Sequence, residues 1–256
     1  MTSCTVWWAT PGTAGPTGGL VTLLGQDERA RWHRMRPGPA REAYLVAHAL
    51  LRVVLGRETG GAPDALRFGV APCAGCGGDH GKPYLLDAPD ISWSLSHTNG
   101  RVVLAVTHGV PVGIDVESVR HAPYDMPTAA LSPLERVALP VEGRRAALLL
   151  YWVRKEAVLK AAGYGLGGGV TSLTVSPPSA PSAVLRWEGG PADVHLVVLR
   201  GAGPGYVASL AMRGAVPDVT ELPVVVGAPA FEDDRVAPDA VMAGDAFAHA
   251  ERPEAG

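Results

Sequence analysis

The segment GIDVE, residues 113–117, sets two carboxylates two positions apart, at Asp115 and Glu117. On a strand, residues two apart share a face. The two acids therefore project together while Val116 turns into the core. Carboxylates held side by side repel each other unless a cation lies between them. A hard divalent cation such as Mg²⁺ suits such a pair, because it takes oxygen ligands and keeps part of its water. The plainer alternative is a solvated strand end with two ordinary acids, and this segment alone favours it. A second segment, WVRKEAVLKAAGYGL (residues 152–166), adds Glu156 and Lys160. These stand four apart, on one face of a helix. Such a pair is commonly a surface ion pair, contributing about a few tenths of a kcal/mol. Here the neighbours are Trp152, Ala157, Val158, Leu159, Ala161 and Ala162, a mostly apolar setting. A third acid and a lysine are what a Mg²⁺-bound phosphate site needs. Glu156 would complete the metal shell or take a proton, and Lys160 would neutralise charge on a leaving phosphate.

Other reactive residues have cheaper explanations. The chain has three cysteines, too few for a disulfide framework. Cys73 and Cys76 form a C-x-x-C with His80 nearby, in CAGCGGDHGKP. A structural zinc normally needs four ligands, and no second C-x-x-C exists, so the segment reads as a glycine-rich turn with two reduced thiols. Gly165, Gly167, Gly168 and Gly169 suggest a phosphate loop, but no G-K-[ST] follows, and they read as a connection between helix and strand. Ser96 and His97 are adjacent on a strand and so face opposite ways, which argues against a nucleophilic pair. Glu135 reads as a first-turn acid on a helix capped by Ser132. His48 receives no role.

These side chains need elements to hold them. Residues 41–56, REAYLVAHALLRVVLG, carry apolar residues at helical spacing and end at Gly56, a candidate cap. Residues 144–165 do the same and end near Gly163. Strand-rich segments follow each helix: ISWSLSHTNGRVVLAVT after the first, and LTVS, AVLRWE, VHLVVLRG and GYVASLAM after the second. The opening MTSCTVWWAT reads as a buried strand, and RVVLAVTHGVPV reads as strand leading into GIDVE. The expected fold is α+β, with two similar, pseudo-duplicated subdomains, each a long helix packed on a small antiparallel sheet. The subdomains are expected at 1–110 and 111–216, with a Pro-, Ala- and acid-rich disordered tail at 217–256.

Composition narrows the class. The chain has 256 residues, 47% hydrophobic and 18% charged, ordinary for a protein with a real core. The net charge of −3 gives no reason to expect nucleic acid or an anionic membrane as partner. No apolar run reaches spanning length and no signal peptide opens the chain. A cytoplasmic protein, acting as a monomer, is expected.

Four blocks in order resemble a known family. VGIDVE, followed about forty residues later by WVRKEAVLK, resembles the paired signature of the 4'-phosphopantetheinyl transferases of the surfactin-synthetase-activating type. Gly113, Asp115, Glu117, Trp152, Lys155, Glu156, Ala157 and Lys160 occupy its fixed positions. HGKPYL (residues 80–85) and WSLSHTNG (residues 93–100) resemble two further blocks. Val153 and the TNG after His97 depart from the usual family pattern. The resemblance implies transfer of the phosphopantetheine arm of coenzyme A to a serine of an apo acyl or peptidyl carrier protein, with release of adenosine 3',5'-bisphosphate. It implies Mg²⁺, with Mn²⁺ as a substitute, held by Asp115, Glu117 and Glu156. It places Glu156 and Lys160 in catalysis, and Lys82, Ser96, His97 and Lys160 at coenzyme A, with His97 near the 3'-phosphate. Arg31, Arg34 and Arg52 lie where the family has basic residues, and Arg31 is the candidate contact. Coenzyme A is expected in a cleft between the two subdomains.

Overall fold

A computed structural model of the chain describes residues 2–12, 17–121, 128–165, 169–214 and 216–224. The chain opens with β1 (Thr2–Ala9), then α1 (Thr17–Thr22), α2 (Gln26–Arg34) and α3 (Pro39–Thr59). A short hairpin follows, β2 (Phe68–Val70) and β3 (Pro83–Leu85). Next come β4 (Ile91–Thr98), β5 (Arg101–His108) and β6 (Val112–Ser118). The second half holds α4 (Pro133–Val137), α5 (Arg144–Ala162), β7 (Leu173–Val175), β8 (Val184–Trp187), β9 (Val194–Val198), β10 (Tyr206–Arg213) and β11 (Pro217–Val224). The fold is α+β, and each half does set one long helix on a small sheet. The sheets have the orders β11-β1-β5-β4 and β6-β10-β9. No helix among the described residues is long and apolar enough to cross a membrane.

Alternation in the strands sorts the core into layers. On one face of the first sheet, Val102, Leu104, Val106, Ile91 and Trp93 pack against α3. On the other face, Cys4, Val6, Trp8, Val103 and Ala105 meet Val112, Ile114, Val116, Leu210 and Met212 of the second sheet. Beyond that sheet, α5 packs through Ala157, Val158 and Ala161 onto Ala211, Leu196 and Val194. The middle layer is buried on both sides. Each large aliphatic side chain there contributes roughly 1.5–3 kcal/mol of transfer free energy.

One edge needs a special solution. β6 is the outer strand of its sheet, so its amides at 112, 114 and 116 have no strand partner. Three serines on one face of β4 accept them: Val112 N–H donates to Ser92 Oγ (3.2 Å), Ile114 N–H to Ser94 Oγ (3.0 Å) and Val116 N–H to Ser96 Oγ (3.4 Å). A buried amide left unpaired would cost about 1–3 kcal/mol. The serine ladder therefore joins the two sheets edge to edge, with hydroxyls in place of backbone carbonyls.

Four expectations need correction. The first long helix does not stop at Gly56. It continues to Thr59 and is capped by Gly60 at φ 69°, a left-handed turn that glycine adopts at little cost. Residues 101–117 are two strands, not one run, because the chain turns at residues 109–111 to change sheets. The expected tail does not begin at Pro217. Residues 217–224 form β11, parallel to β1 with Thr2 opposite Pro217 and Ala9 opposite Val224. Its alternation was masked by two prolines, which an outer strand tolerates. The chain thus returns to the first sheet after the proposed second subdomain, while residues 225–256 lie outside the described residues. Finally, Glu135 is more than a first-turn acid. It does close a capping box with Ser132, but it also accepts the Val175 amide at 2.8 Å and pairs with Lys155 Nζ at 2.6 Å. Both partners are 1% exposed.

Two ion pairs in this fold make measurable predictions. Lys155 also donates to the carbonyls of Ala130 and Val170, so it ties α5 to two loops. Lys155→Met leaves the Glu135 carboxylate buried without its cation, and urea unfolding should show a loss of about 3–5 kcal/mol. In the first half, Glu28 takes His48 Nδ1 at 2.8 Å, the Arg52 guanidinium and the Gly25 amide. Burial alone would raise this carboxyl, but those partners hold it down to about 2. Because the folded value lies below the unfolded one, the stabilisation is complete above about pH 4.5 and is lost as pH falls towards 2. Glu28→Gln should cost up to roughly 3 kcal/mol at pH 7. The gap between mutant and wild type should narrow steadily from pH 5 to pH 3 in urea titrations.

Candidate active site

Gly113 brings the strand acids to the helix. A Cβ added at Gly113 would overlap the Ala157 carbonyl and the Ala161 amide, so β6 and α5 touch backbone to backbone there. Only glycine permits that approach. Two residues on, the Asp115 side chain emerges on the same face and meets Lys160. Lys160 Nζ lies 2.6 Å from Asp115 Oδ1 and also donates to the Ile114 carbonyl at 3.1 Å. Asp115 Oδ1 accepts a second bond, from Ser96 Oγ at 2.8 Å. Glu117 accepts from Thr98 Oγ1 at 3.1 Å. As expected, Asp115 and Glu117 share a face, and Val116 is fully buried in the middle core layer.

Two oxygens in this cluster have no partner. Asp115 Oδ2 and Glu156 Oε1 are buried and make no hydrogen bond. Asp115 is 5% exposed and Glu156 7%. An unpaired buried carboxylate oxygen is expensive, and a cation is the ordinary remedy. The donor set is all carboxylate, which matches a hard divalent ion. The residues present therefore fit Mg²⁺. The three acids do not, however, close to the 4.8 Å spacing of a compact ligand cluster. Lys160 occupies Asp115 Oδ1. Burial pushes Glu156 up to about 7. Lys160 pulls it down, while Asp115 and Glu117 reinforce the rise. Burial and the Asp115 charge also raise Glu117, against the Thr98 hydroxyl and Lys160.

A cavity of about 400 Å³ opens beside the cluster, lined among others by His80, Lys82, Ser94, Glu156, Lys160 and Tyr164. A second cavity of about 420 Å³ lies between the end of α3 and β4, near Glu58 and His108. It contains none of these acids, so the first is the candidate site. Lys82 lies in the candidate site but donates to the carbonyls of Trp93 (2.8 Å) and Val112 (2.5 Å), bridging β4 and β6. Burial, and then the Lys160 charge, lower it to about 7. Ser96 is committed to Asp115 and Val116, so it positions the acid. His97 points to the opposite face from Ser96. Desolvation lowers its pKa first, then the charges of His48, Lys160 and Arg31, with Asp115 acting against them. Arg31 sits over the Tyr44 ring at 5.3 Å, on the solvent side. Arg52 is buried and consumed by Glu28 and the Pro63 carbonyl.

Several contributors were missed in the sequence. Ser92, Ser94 and Thr98 continue the alternation of Ser96 along β4, a visible signal that reads as ordinary polar alternation without the partner strand. Ser209 stands directly opposite Asp115 on β10, and its buried hydroxyl has no partner. In the glycine-rich run, Gly167 and Gly168 lie outside the described residues.

Comparisons with known proteins agree on a family. Residues 111–211, which carry Asp115, Glu117, Glu156 and Lys160, match the family model of the 4'-phosphopantetheinyl transferase superfamily. A 4'-phosphopantetheinyl transferase of Bacillus subtilis is 25% identical over 173 residues, 66% of this chain and 74% of the relative. The 4'-phosphopantetheinyl transferase Sfp of Bacillus subtilis strain 168 is 23% identical over 205 residues, 79% of this chain and 87% of the relative. The 4'-phosphopantetheinyl transferase HetI of Nostoc is 29% identical over 161 residues, 57% of this chain and 62% of the relative. On these matches residues 111–211 are similar to the 4'-phosphopantetheinyl transferase superfamily, and the relatives that the chain resembles along most of their length are transferases.

Proposed function

We propose that the chain transfers the 4'-phosphopantetheine arm of coenzyme A to a serine of an apo acyl or peptidyl carrier protein, with Mg²⁺, releasing adenosine 3',5'-bisphosphate. The observation that carries this reading is the pair of unpartnered, buried carboxylate oxygens on Asp115 and Glu156, set beside Lys160. The similarity to the transferase superfamily suggests the substrates, and this cluster offers room for a pyrophosphate and its cation.

In this reading the carrier serine oxygen bonds to the phosphorus bearing the pantetheine arm. The pyrophosphate P–O bond breaks, and adenosine 3',5'-bisphosphate leaves with the electron pair. Asp115, Glu117 and Glu156 would hold Mg²⁺, which when bound neutralises charge on the pyrophosphate. Lys160 lies in the same cluster and stabilises negative charge on the departing phosphate. Glu156 is placed to hold the cation or to accept the serine proton. Ser96 and Thr98 fix the two strand acids, so little reorganisation is needed as charge moves. Arg31 and His97 would meet the 3'-phosphate of the nucleotide, with Lys82 at the cavity wall.

Mass spectrometry of an apo carrier protein incubated with this protein, coenzyme A and Mg²⁺ tests the reading. The carrier should gain one phosphopantetheine unit, activity should vanish with chelator, and it should return with Mg²⁺ or Mn²⁺. Asp115→Asn should stay folded and lose the rate by about 10² or more. In the same assay, His97→Ala should weaken coenzyme A about tenfold, through loss of a charge-assisted contact, and leave 3'-dephospho-coenzyme A little changed. Coenzyme A cleaved at full rate without any carrier would make the protein a hydrolase instead.

A further inference from the structure

The turn between β2 and β3 contains a group of side chains that the transfer reaction does not use. Among the described residues, only Cys73, Cys76 and His80 bring three His, Cys, Asp or Glu ligand atoms within 4.8 Å of one another. Cys76 Sγ lies 3.1 Å from His80 Nε2. Two thiolates and an imidazole on a tetrahedral zinc stand roughly 3.5–3.8 Å apart, given Zn–S and Zn–N bonds of about 2.3 and 2.0–2.1 Å. The three atoms are thus already close to ligand spacing.

The backbone is shaped to hold them there. Gly77 N–H donates to the Cys73 carbonyl, and Cys73 N–H to the Gly78 carbonyl, each at 2.8 Å. Gly77 sits at φ 75°, which turns the chain sharply back after the second cysteine. The amides of Gly75, Cys76 and Gly165 point at Cys73 Sγ, the last at 3.4 Å, and favour its thiolate. Gly165 lies flat against the His80 ring, since a Cβ there would overlap Nδ1. Ala74 N–H donates to the Gly163 carbonyl at 3.1 Å. The turn is therefore fastened to the loop that ends α5, at the wall of the cavity that His80, Gly163 and Gly165 line.

We propose that Cys73, Cys76 and His80 bind one Zn²⁺ in an open site of three protein ligands that pins the β2–β3 turn to the loop after α5. A second C-x-x-C is not needed, because three protein ligands can leave the fourth position to an exchangeable group. Sulfur and imidazole select zinc, whereas the carboxylates of Asp115, Glu117 and Glu156 select a hard ion, so the two sites do not compete for one metal. Binding converts two thiols to thiolates and releases their protons. The site stands on its own geometry and does not depend on the transfer reaction.

The test uses the full chain purified under reducing conditions without chelator. Elemental analysis should find about one zinc per chain. Exchange for Co²⁺ should give a sulfur-to-cobalt charge-transfer band. Cys76→Ser and His80→Ala should each lose the stoichiometric metal, and Cys4→Ala should keep it. A chelator selective for soft cations should lower Tm, and Zn²⁺ but not Mg²⁺ should restore it. Alkylation mapping of the wild-type chain gives an answer without any substitution: Zn²⁺ should protect Cys73 and Cys76. Free, unprotected thiols with no zinc or cobalt uptake would overturn the proposal. So would a Cys73–Cys76 disulfide in its place, or full metal content in both ligand variants.

Discussion

The candidate site depends on how β4 meets the edge of β6. Three serine hydroxyls take the place of a neighbouring strand and satisfy the amides of Val112, Ile114 and Val116. Edge amides are normally left to water or to another chain. Here they are closed by side chains, which lets two separate sheets abut. The same serine row ends in the site. Ser96 spends its remaining hydrogen on Asp115, and Thr98, one step further, binds Glu117. The joint between the two halves and the positioning of the acids are thus one row of alternating hydroxyls.

From that joint the rest follows by close approach. Gly113 lets β6 lie directly on α5, and this contact sets Asp115 against Lys160 and near Glu156. Lys155, next to Glu156 on the helix, turns away to Glu135 and anchors α5 to the loops behind it. One residue of the WVRKEAVLK motif therefore serves the fold, while Glu156 and Lys160 line the cavity.

Much of this was legible in the sequence, for identifiable reasons. Asp115 and Glu117 share a face because the strand period is two, and that needs no tertiary knowledge. The end of α5 at Gly163 follows from glycine at a left-handed cap, φ 75°. The first long helix ran past Gly56 because a single glycine inside a well-packed helix costs only about 1 kcal/mol, and tertiary burial outweighs it. β11 was hidden because Pro217 and Pro223 suggest a loop, and only pairing with β1 shows that the outer position tolerates them. The alternation of Ser92, Ser94 and Ser96 is visible in the sequence, but their role needs the partner edge. His80 as a third ligand beside Cys73 and Cys76 was set aside for want of a fourth, which local spacing could not supply.

The central claim is that Asp115 and Glu156, on strand and helix, hold one divalent cation between them once Gly113 has brought them together. Mn²⁺ binding to the coenzyme A-loaded protein, followed by electron paramagnetic resonance, tests this without turnover. The account predicts about one tightly bound Mn²⁺ per chain, lost in Asp115→Asn and in Glu156→Gln and retained in Lys155→Met. Equal Mn²⁺ binding by wild type and both acid variants would contradict it.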